Sequence, residues 1–450
     1  MAEALKPGPG VVTPSTEFVE HSAAGARLHF FFLNIGHFLD HLFMLVFSTA
    51  AAVVLVHEWG LTYSELIPYA TPGFIAFAAF TIPAGWLADR YGREILISAF
   101  FIGCGFASIA CAFASSPLQI AVCLFFVGVF ASIYHPVGIA LVLEGNKKTG
   151  LRVASNGVWG NLGVAVAALL TGALIDAGGW RSAFVVPAIV SILFGLTYYF
   201  KVRRYSPSQL ALSAAGQSAG QKTVSALAKD EDKTPAKSLT ASSTDSSNDV
   251  SVDHSKAVSE HSERKRVQRV LAIVLLTTAC GGVVFQSTTF ALPKVLLEKS
   301  GDYATSATTL GWIAFIVFAI GSIGQLIVGY LLDRGSARRV FMAVAFLQVV
   351  FFALAIGAQG LWVPFIASGF MLAAFGQIPI NDVLVGRVTN TLVRSRILAI
   401  RYTVTLSTMA LSVPLISTLH ARGGVASLFV LLTVMALIIL IATRFLPKDV

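Results

Sequence analysis

Twelve times along this chain an apolar run extends for about 20 residues, the length at which an α-helix crosses the hydrocarbon core of a bilayer. Six runs lie near 29–56, 67–88, 95–114, 118–143, 153–176 and 181–200, and six more near 269–293, 307–332, 339–357, 361–384, 396–420 and 425–446. Lipid offers no hydrogen-bond partner to a peptide group, so such segments satisfy their backbone internally as helices. The composition excludes a soluble reading. The chain is 56% hydrophobic and 12% charged, with a mean hydropathy of +0.76, where an ordinary soluble domain carries about a quarter charged residues. No soluble core of this chain length hides so much apolar surface. The expected fold is an all-α polytopic membrane protein with twelve transmembrane helices.

Polar stretches divide the runs. Residues 1–26 contain Pro, Gly and acidic residues without an apolar centre, and read as a cytoplasmic tail with no cleavable signal peptide, the first span serving as the membrane signal. Residues 201–266 are rich in Ser, Ala, Thr and Lys and nearly free of aromatics, which predicts a disordered cytoplasmic linker. The two bundles are then 27–200 and 267–450. The net charge of +9 does not point to nucleic acid, because Lys and Arg fall in short loops and in that linker. One set of alternate loops holds eleven of them, including Arg90, Arg93, Arg334, Arg338 and Arg339, and the opposite set holds four, Arg181, Lys294, Lys299 and Arg422. The richer set is cytoplasmic by the positive-inside rule, and an even number of spans puts both termini there. Cys104, Cys111, Cys123 and Cys280 sit within apolar runs without CxxC spacing and read as small core residues.

The two halves repeat each other. "GWLADRYGRE" from Gly85 and "GYLLDRGSARR" from Gly329 are 244 residues apart; Pro136 and Pro379 are 243 apart; "DAGGW" from Asp176 and "HARGGV" from His420 are again 244 apart. Three landmarks in one register indicate a duplicated six-helix unit, the internal symmetry of secondary transporters.

The first of these landmarks resembles the loop signature between spans two and three of the major facilitator superfamily, here Gly85, Leu87, Asp89, Arg90, Gly92 and Arg93. The second copy keeps Gly329, Leu331, Asp333 and Arg334 and departs in its middle. With the spans, the linker and the repeat, the resemblance covers about 27–447 and implies two pseudo-symmetric six-helix bundles. It also implies a cytoplasmic latch between the halves formed by Gly85, Asp89, Arg90, Arg93, Gly329, Asp333 and Arg334. Gly85 lets a neighbouring helix approach, and Asp89 and Arg93 can pair if the turn stays helical. Within the superfamily, "SIYHPVGIAL" is similar to the fosmidomycin-resistance branch of drug exporters, through Tyr134, His135, Pro136 and Gly138. The exporter motif Gly-Pro-Gly-Gly of the fifth span is degenerate, since residues 160–172 contain no proline.

Polar residues inside a span are expensive and mark function. On a helix at 100° per residue, His41, His37 and Asp40 fall about 20°, 60° and 120° from Asn34 on one side, so all four share a third of the surface and are expected to face a water-filled path. His135 reaches a similar depth in the fourth span. The second half offers Gln377, Asn381 and Asp382 in the tenth span and Arg401 and Tyr402 in the eleventh; the resemblance places spans one, four, seven and ten around the central path. A carboxylate that meets water and a low-dielectric interior in turn can load and release a proton, and a flanking imidazole relays it near neutral pH. Asp40 is the expected proton site, with His37 and His41 as relay. Asn34, Tyr134, His135, Asn156, Trp159, Gln286, Gln377, Asn381, Arg401 and Tyr402 are the expected substrate contacts, Arg401 neutralising substrate charge.

The i, i+3, i+4 spacing of His37, Asp40 and His41 also suits a metal, with His135 adding a ligand, but no thiolates or second acidic cluster accompany them, and no metal or cofactor is expected. No nucleophile–base pair suggests an enzyme. The reading is a proton-coupled secondary transporter of the plasma (inner) membrane working by alternating access, exporting a small polar or anionic compound or a drug. Uptake of a metabolite anion by proton symport uses the same residues in reverse, and a non-transporting sensor or scaffold is the alternative of another class. The expected partners are a small-molecule substrate, protons and membrane lipids, with no nucleic acid, and the expected state is a monomer.

Overall fold

The computed structural model describes residues 16–144, 149–207, 209, 254–301, 306–389 and 391–448, and among them it is helical with no strand. Helix α1 runs Thr16–Ala50 and continues through a wide π-turn, Ala51–Leu55, to Glu58. It is followed by α2 (Thr71–Tyr91), α3 (Arg93–Ala112), α4 (Pro117–Leu143), α5 (Thr149–Gly178) and α6 (Trp180–Thr197). The second set is α7 (His254–Lys299), α8 (Ala307–Arg334), α9 (Ala337–Gly357) and α10 (Trp362–Val388), then one helical stretch, Thr391–Arg444. Eleven stretches among the described residues are long and apolar enough to span a membrane. The last divides at Gly423 and Gly424, where Gly424 takes φ 62°, into α11 (391–422) and α12 (425–444). Counted so, the twelve expected spans are present, and the chain is a multi-pass integral membrane protein.

Local chemistry sets the ends. Ser116 caps α4 by accepting from the amide of Gln119, with Pro117 at the first helical position where its missing N–H costs nothing. Ser306 caps α8 on Thr309 in the same way. Gly92 at φ 95° ends α2, so Asp89 and Arg93 lie on successive helices and not on one. The expected i, i+4 pair is therefore absent, and Arg93 pairs with Glu144 at 3.7 Å. Arg90 lies against Trp86 and Tyr91, and Arg334 covers the ring of Tyr330 at 3.7 Å.

Two compact units result, Met1–Ala50 with Pro72–Leu210, and Ala51–Thr71 with Ala211–Val450. The stretch 51–71, expected in the first bundle, thus packs with the second. The reason is polar as well as apolar. Ser64 and Glu298 both hydrogen bond to His420, at 3.2 and 2.9 Å, Lys294 pairs with Glu298 at 3.1 Å, and Ser417 donates to the carbonyl of Ser64. The ends of the expected linker are helical, since the chain stays helical to Tyr205 and α7 begins at His254. The rest of that linker, residue 208 and residues 210–253, and the first fifteen residues of the expected tail lie outside the described residues.

Within each unit the duplication extends to single hydrogen bonds. Ser182 Oγ donates to the carbonyls of Leu174 and Gly179, and Ser427 Oγ donates to those of Leu419 and Gly424, each partner displaced by 245 residues. Gly179 and Gly424 both hold positive φ, the backbone region that glycine enters without a Cβ penalty. Helix α2 presses on α4 and α8 on α10 so closely that a Cβ on Gly128 would run into the carbonyl of Gly73, and one on Gly324 into that of Leu372. Small residues permit such backbone approach in membranes, where packing replaces the hydrophobic drive. Cys104, Cys111 and Cys280 are buried and free, as small core residues.

Candidate functional site

In the first unit the site grows from a proline. Pro136 has no N–H, so α4 cannot close its regular ladder there and opens into a π-turn over Tyr134–Gly138. The turn delivers Tyr134 and His135 to the polar face of α1. Tyr134 is fully buried; its hydroxyl donates to the carbonyl of Leu33 at 2.6 Å and accepts from Asn156 Nδ2 at 2.9 Å. The same Nδ2 donates to Asn34 Oδ1 at 3.0 Å, while the carbonyl of Asn156 accepts from His37 Nδ1 at 2.8 Å. Asn156 of α5 is thus the hub joining α1, α4 and α5. A carbonyl can only accept, so the proton of neutral His37 sits on Nδ1 and its Nε2 lone pair is free.

Packing fixes the same ring. Tyr134 stacks on His37 with centroids 5.0 Å apart and 24° between planes, and a Cβ on Gly160 would come within 2.6 Å of His37 Nε2. His41 and His135 complete the group, with ring centroids 5.1 Å (His37–His41), 5.4 Å (His37–His135) and 5.6 Å (His41–His135) apart. Each offers a ring nitrogen, and these nitrogens lie within 4.8 Å of one another. The three imidazoles, spaced in sequence as metal ligands are, are therefore brought together in space.

Asp40 stands behind this group. It is 1% exposed, neither carboxylate oxygen receives a hydrogen bond, and Oδ2 is 3.3 Å from Nε2 of His135. The His135 side chain is 28% exposed. A lone buried carboxylate with one partner is costly to keep charged, and the partner is the group that also meets the surroundings. The four residues of α1 do share a face, but that face is sealed at Asn34 and Asp40 and part-exposed at His41. Trp159 packs edge-on against Phe31, 5.9 Å between centroids.

The second unit builds a different cluster on the same frame. Gln377 Nε2 donates to the carbonyl of Thr277 at 3.2 Å, and its Oε1 accepts from Gln348 Nε2 at 2.8 Å. Asn381 donates to Thr278 Oγ1 and accepts from Thr277 Oγ1. Gln286 is buried, and its Nε2 has no hydrogen-bond partner. Arg401 is buried, with Nη1 on Asp382 Oδ1 at 2.6 Å and Nε unpartnered, and it borders an apolar cleft of about 130 Å³ lined by Leu271, Val274, Leu275, Ile397 and Ile400. Its charge is therefore already matched by Asp382. Tyr402, the next residue, is 47% exposed, and its ring lies beneath the Arg401 guanidinium, 5.1 Å from centroid to Cζ.

Thr277, Thr278 and Gln348 were not anticipated. Gln348 had a signal, an amide alone in the apolar run of the ninth span. The two threonines had none, because Thr in a membrane helix routinely bonds its own backbone.

The sequence profile of the Major Facilitator Superfamily matches residues 33–301 and 274–450. The chain belongs to that superfamily, and is a transporter and not an enzyme. It is 25% identical over 327 residues to a gallate transporter of Pseudomonas putida, covering 71% of this chain and 69% of the relative. It is 27% identical over 338 residues to a 4-hydroxybenzoate transporter of the same organism, covering 70% of each. Among solved structures, a bacterial homologue of the human lysosomal transporter Spinster, inward-facing and unoccupied, superposes with a TM-score of 0.71 at 14% identity, over 94% of this chain and 98% of that one.

Proposed function

We propose that this chain is a proton-coupled carrier that takes up a small carboxylate, aromatic by preference, by alternating access of its two halves. The observation that carries the reading is the sealed Asp40 carboxylate, whose one ion-pair partner among the described residues is the part-exposed His135. A proton that reaches Asp40 by way of the His135 ring can travel with the substrate and neutralise a charge otherwise trapped in low dielectric. The relatives named for gallate and 4-hydroxybenzoate, both aromatic carboxylates, support an anionic cargo. The amide cluster of Gln377, Asn381 and Gln286, the unpartnered Gln286 Nε2 and the free Nε of Arg401 supply donors for it.

Direction follows from energetics. An anion leaving a negative-inside cell is helped by about 2.3 kcal/mol per 100 mV and needs no proton, whereas entering costs the same amount. A dedicated proton site therefore fits uptake by symport better than export. Export by proton antiport is the second reading, favoured by the similarity of Tyr134-His135-Pro136 to the fosmidomycin-resistance branch. In either case we place both termini in the cytoplasm and the protein in the plasma (inner) membrane as a monomer, from the loop charges and the self-contained repeat.

Proteoliposomes test it. With an inward proton gradient, labelled 4-hydroxybenzoate or gallate should accumulate and the lumen should acidify with it. Accumulation that ignores the gradient overturns the coupling, proton entry with substrate exit selects the export reading, and no movement of either compound overturns the aromatic carboxylate as cargo.

A further inference from the structure

We infer that His37, His41 and His135 form a binding site for one divalent transition metal of the zinc type, with Asp40 and Asn156 as its outer shell. This is the one group of three such ligands among the described residues, and the reasoning is independent of the transported substrate.

Three observations carry it. First, the donors converge: three imidazoles from two helices place ring nitrogens within 4.8 Å of one another. Zinc–nitrogen bonds of about 2.1 Å set tetrahedral ligands roughly 3.4 Å apart, so the rings close modestly, and part-exposed His41 has room to do so. Secondly, the outer shell already has the form that metal sites use. A ligating histidine donates its other N–H to a carbonyl or a carboxylate, which fixes tautomer and ring orientation. His37 donates Nδ1–H to the carbonyl of Asn156 at 2.8 Å, leaving Nε2 for the metal. His135 turns Nε2 to Asp40 Oδ2 at 3.3 Å, leaving Nδ1. Thirdly, Asp40 is fully buried, and His135 is the one ion-pair partner of its carboxylate among the described residues. A dication beside His135 supplies the positive charge that this carboxylate otherwise lacks.

Three neutral nitrogens with a fourth position open suit Zn²⁺, Co²⁺ and Ni²⁺, and the absence of oxygen-rich coordination argues against Mg²⁺ and Ca²⁺. The ion would tie α1 to the π-turn of α4. Rigidity is ready-made, because His37 is held between Tyr134 and the bare backbone of Gly160.

The test uses the full chain in detergent, freed of any affinity tag. Titration with Co²⁺ should give the visible d–d absorption of a low-coordinate imidazole site, saturating at one ion per chain and displaced by Zn²⁺. His41→Gln and His135→Gln should each weaken binding at least tenfold, and Asp40→Asn by about tenfold, the size of an outer-shell loss. Should a variant misfold, the native protein still decides the matter. Saturating Zn²⁺ should protect His41 and His135 from diethyl pyrocarbonate, read by peptide mass spectrometry, and should raise the unfolding temperature. No stoichiometric Co²⁺ spectrum, binding unchanged in the histidine variants, or unaltered modification of these two rings would overturn the site. A ligated His135 ring cannot also pass a proton to Asp40, so metal-loaded chain should lose the substrate-coupled proton movement that metal-free chain shows; the Co²⁺ spectrum and the modification pattern report the site without transport, so its failure and that of the proposed symport are separable.

Discussion

The fourth and tenth helices are copies of one element, yet the clusters they carry differ in kind. Tyr134 and Gln377 precede the matched prolines Pro136 and Pro379 by two residues, and each donates to a carbonyl of the helix opposite, Leu33 in one case and Thr277 in the other, 244 residues apart. Structural bonds thus survive duplication. The chemistry does not. At that offset His37, Asp40 and His41 correspond to Gly281, Val284 and Phe285, and at the 243 of the matched prolines His135 corresponds to Ile378. One half holds titratable groups around an opened turn, while α10 keeps its α-helical ladder around Pro379 and gathers amides that hold no charge. Asn156, hub of the first cluster, corresponds at an offset of 245 to Arg401, whose charge is spent on Asp382. The same frame thus carries titratable groups in one copy and amides in the other, the division that the proposed proton coupling and substrate recognition require.

The division can be broken most severely at Asn156. Asn156→Leu removes the donor to Asn34 and to Tyr134 while leaving their oxygens buried, and should cost about 2–3 kcal/mol in detergent unfolding, at about 1–1.5 per bond. A loss below about 1 kcal/mol would mean that water replaces the hub. Gly160→Ala comes next, because the new methyl meets the His37 ring; overpacking of this kind costs about 1–3 kcal/mol, and it should lower transport at any pH. In the second half, Arg401→Ala strands Asp382, whose side chain is 36% exposed, so the expected cost is about 2 kcal/mol, between the surface and buried limits. The double variant Arg401→Ala/Asp382→Ala should recover part of it, and equal losses in single and double variants would show that the pair is not coupled. Smallest is Thr278→Val, which deletes one bond from Asn381 and should cost about 1 kcal/mol while leaving proton coupling untouched.

Much of this was readable before the fold. Span length follows from hydrocarbon thickness and helix form from the cost of leaving peptide groups unpaired in lipid, which act on every run alike, and the repeat shows in three landmarks 243–244 residues apart. The face shared by Asn34, His37, Asp40 and His41 follows from helix geometry. What neighbours that face is decided by tertiary packing, so the sealing of Asp40, the hub role of Asn156 and the pairing of Arg401 with Asp382 were not legible. Asp89 and Arg93 were separated by a single backbone torsion at Gly92, which spacing alone does not reveal.

The proton assignment to the first half is decided by substrate-coupled proton movement in proteoliposomes carrying the native chain or Asp40→Asn, assayed with 4-hydroxybenzoate. The native chain should give a pH change and Asp40→Asn none, with gradient-independent exchange of the same substrate retained within about a factor of two, since a step that only couples the proton leaves binding intact. A proton signal of native size from Asp40→Asn contradicts it.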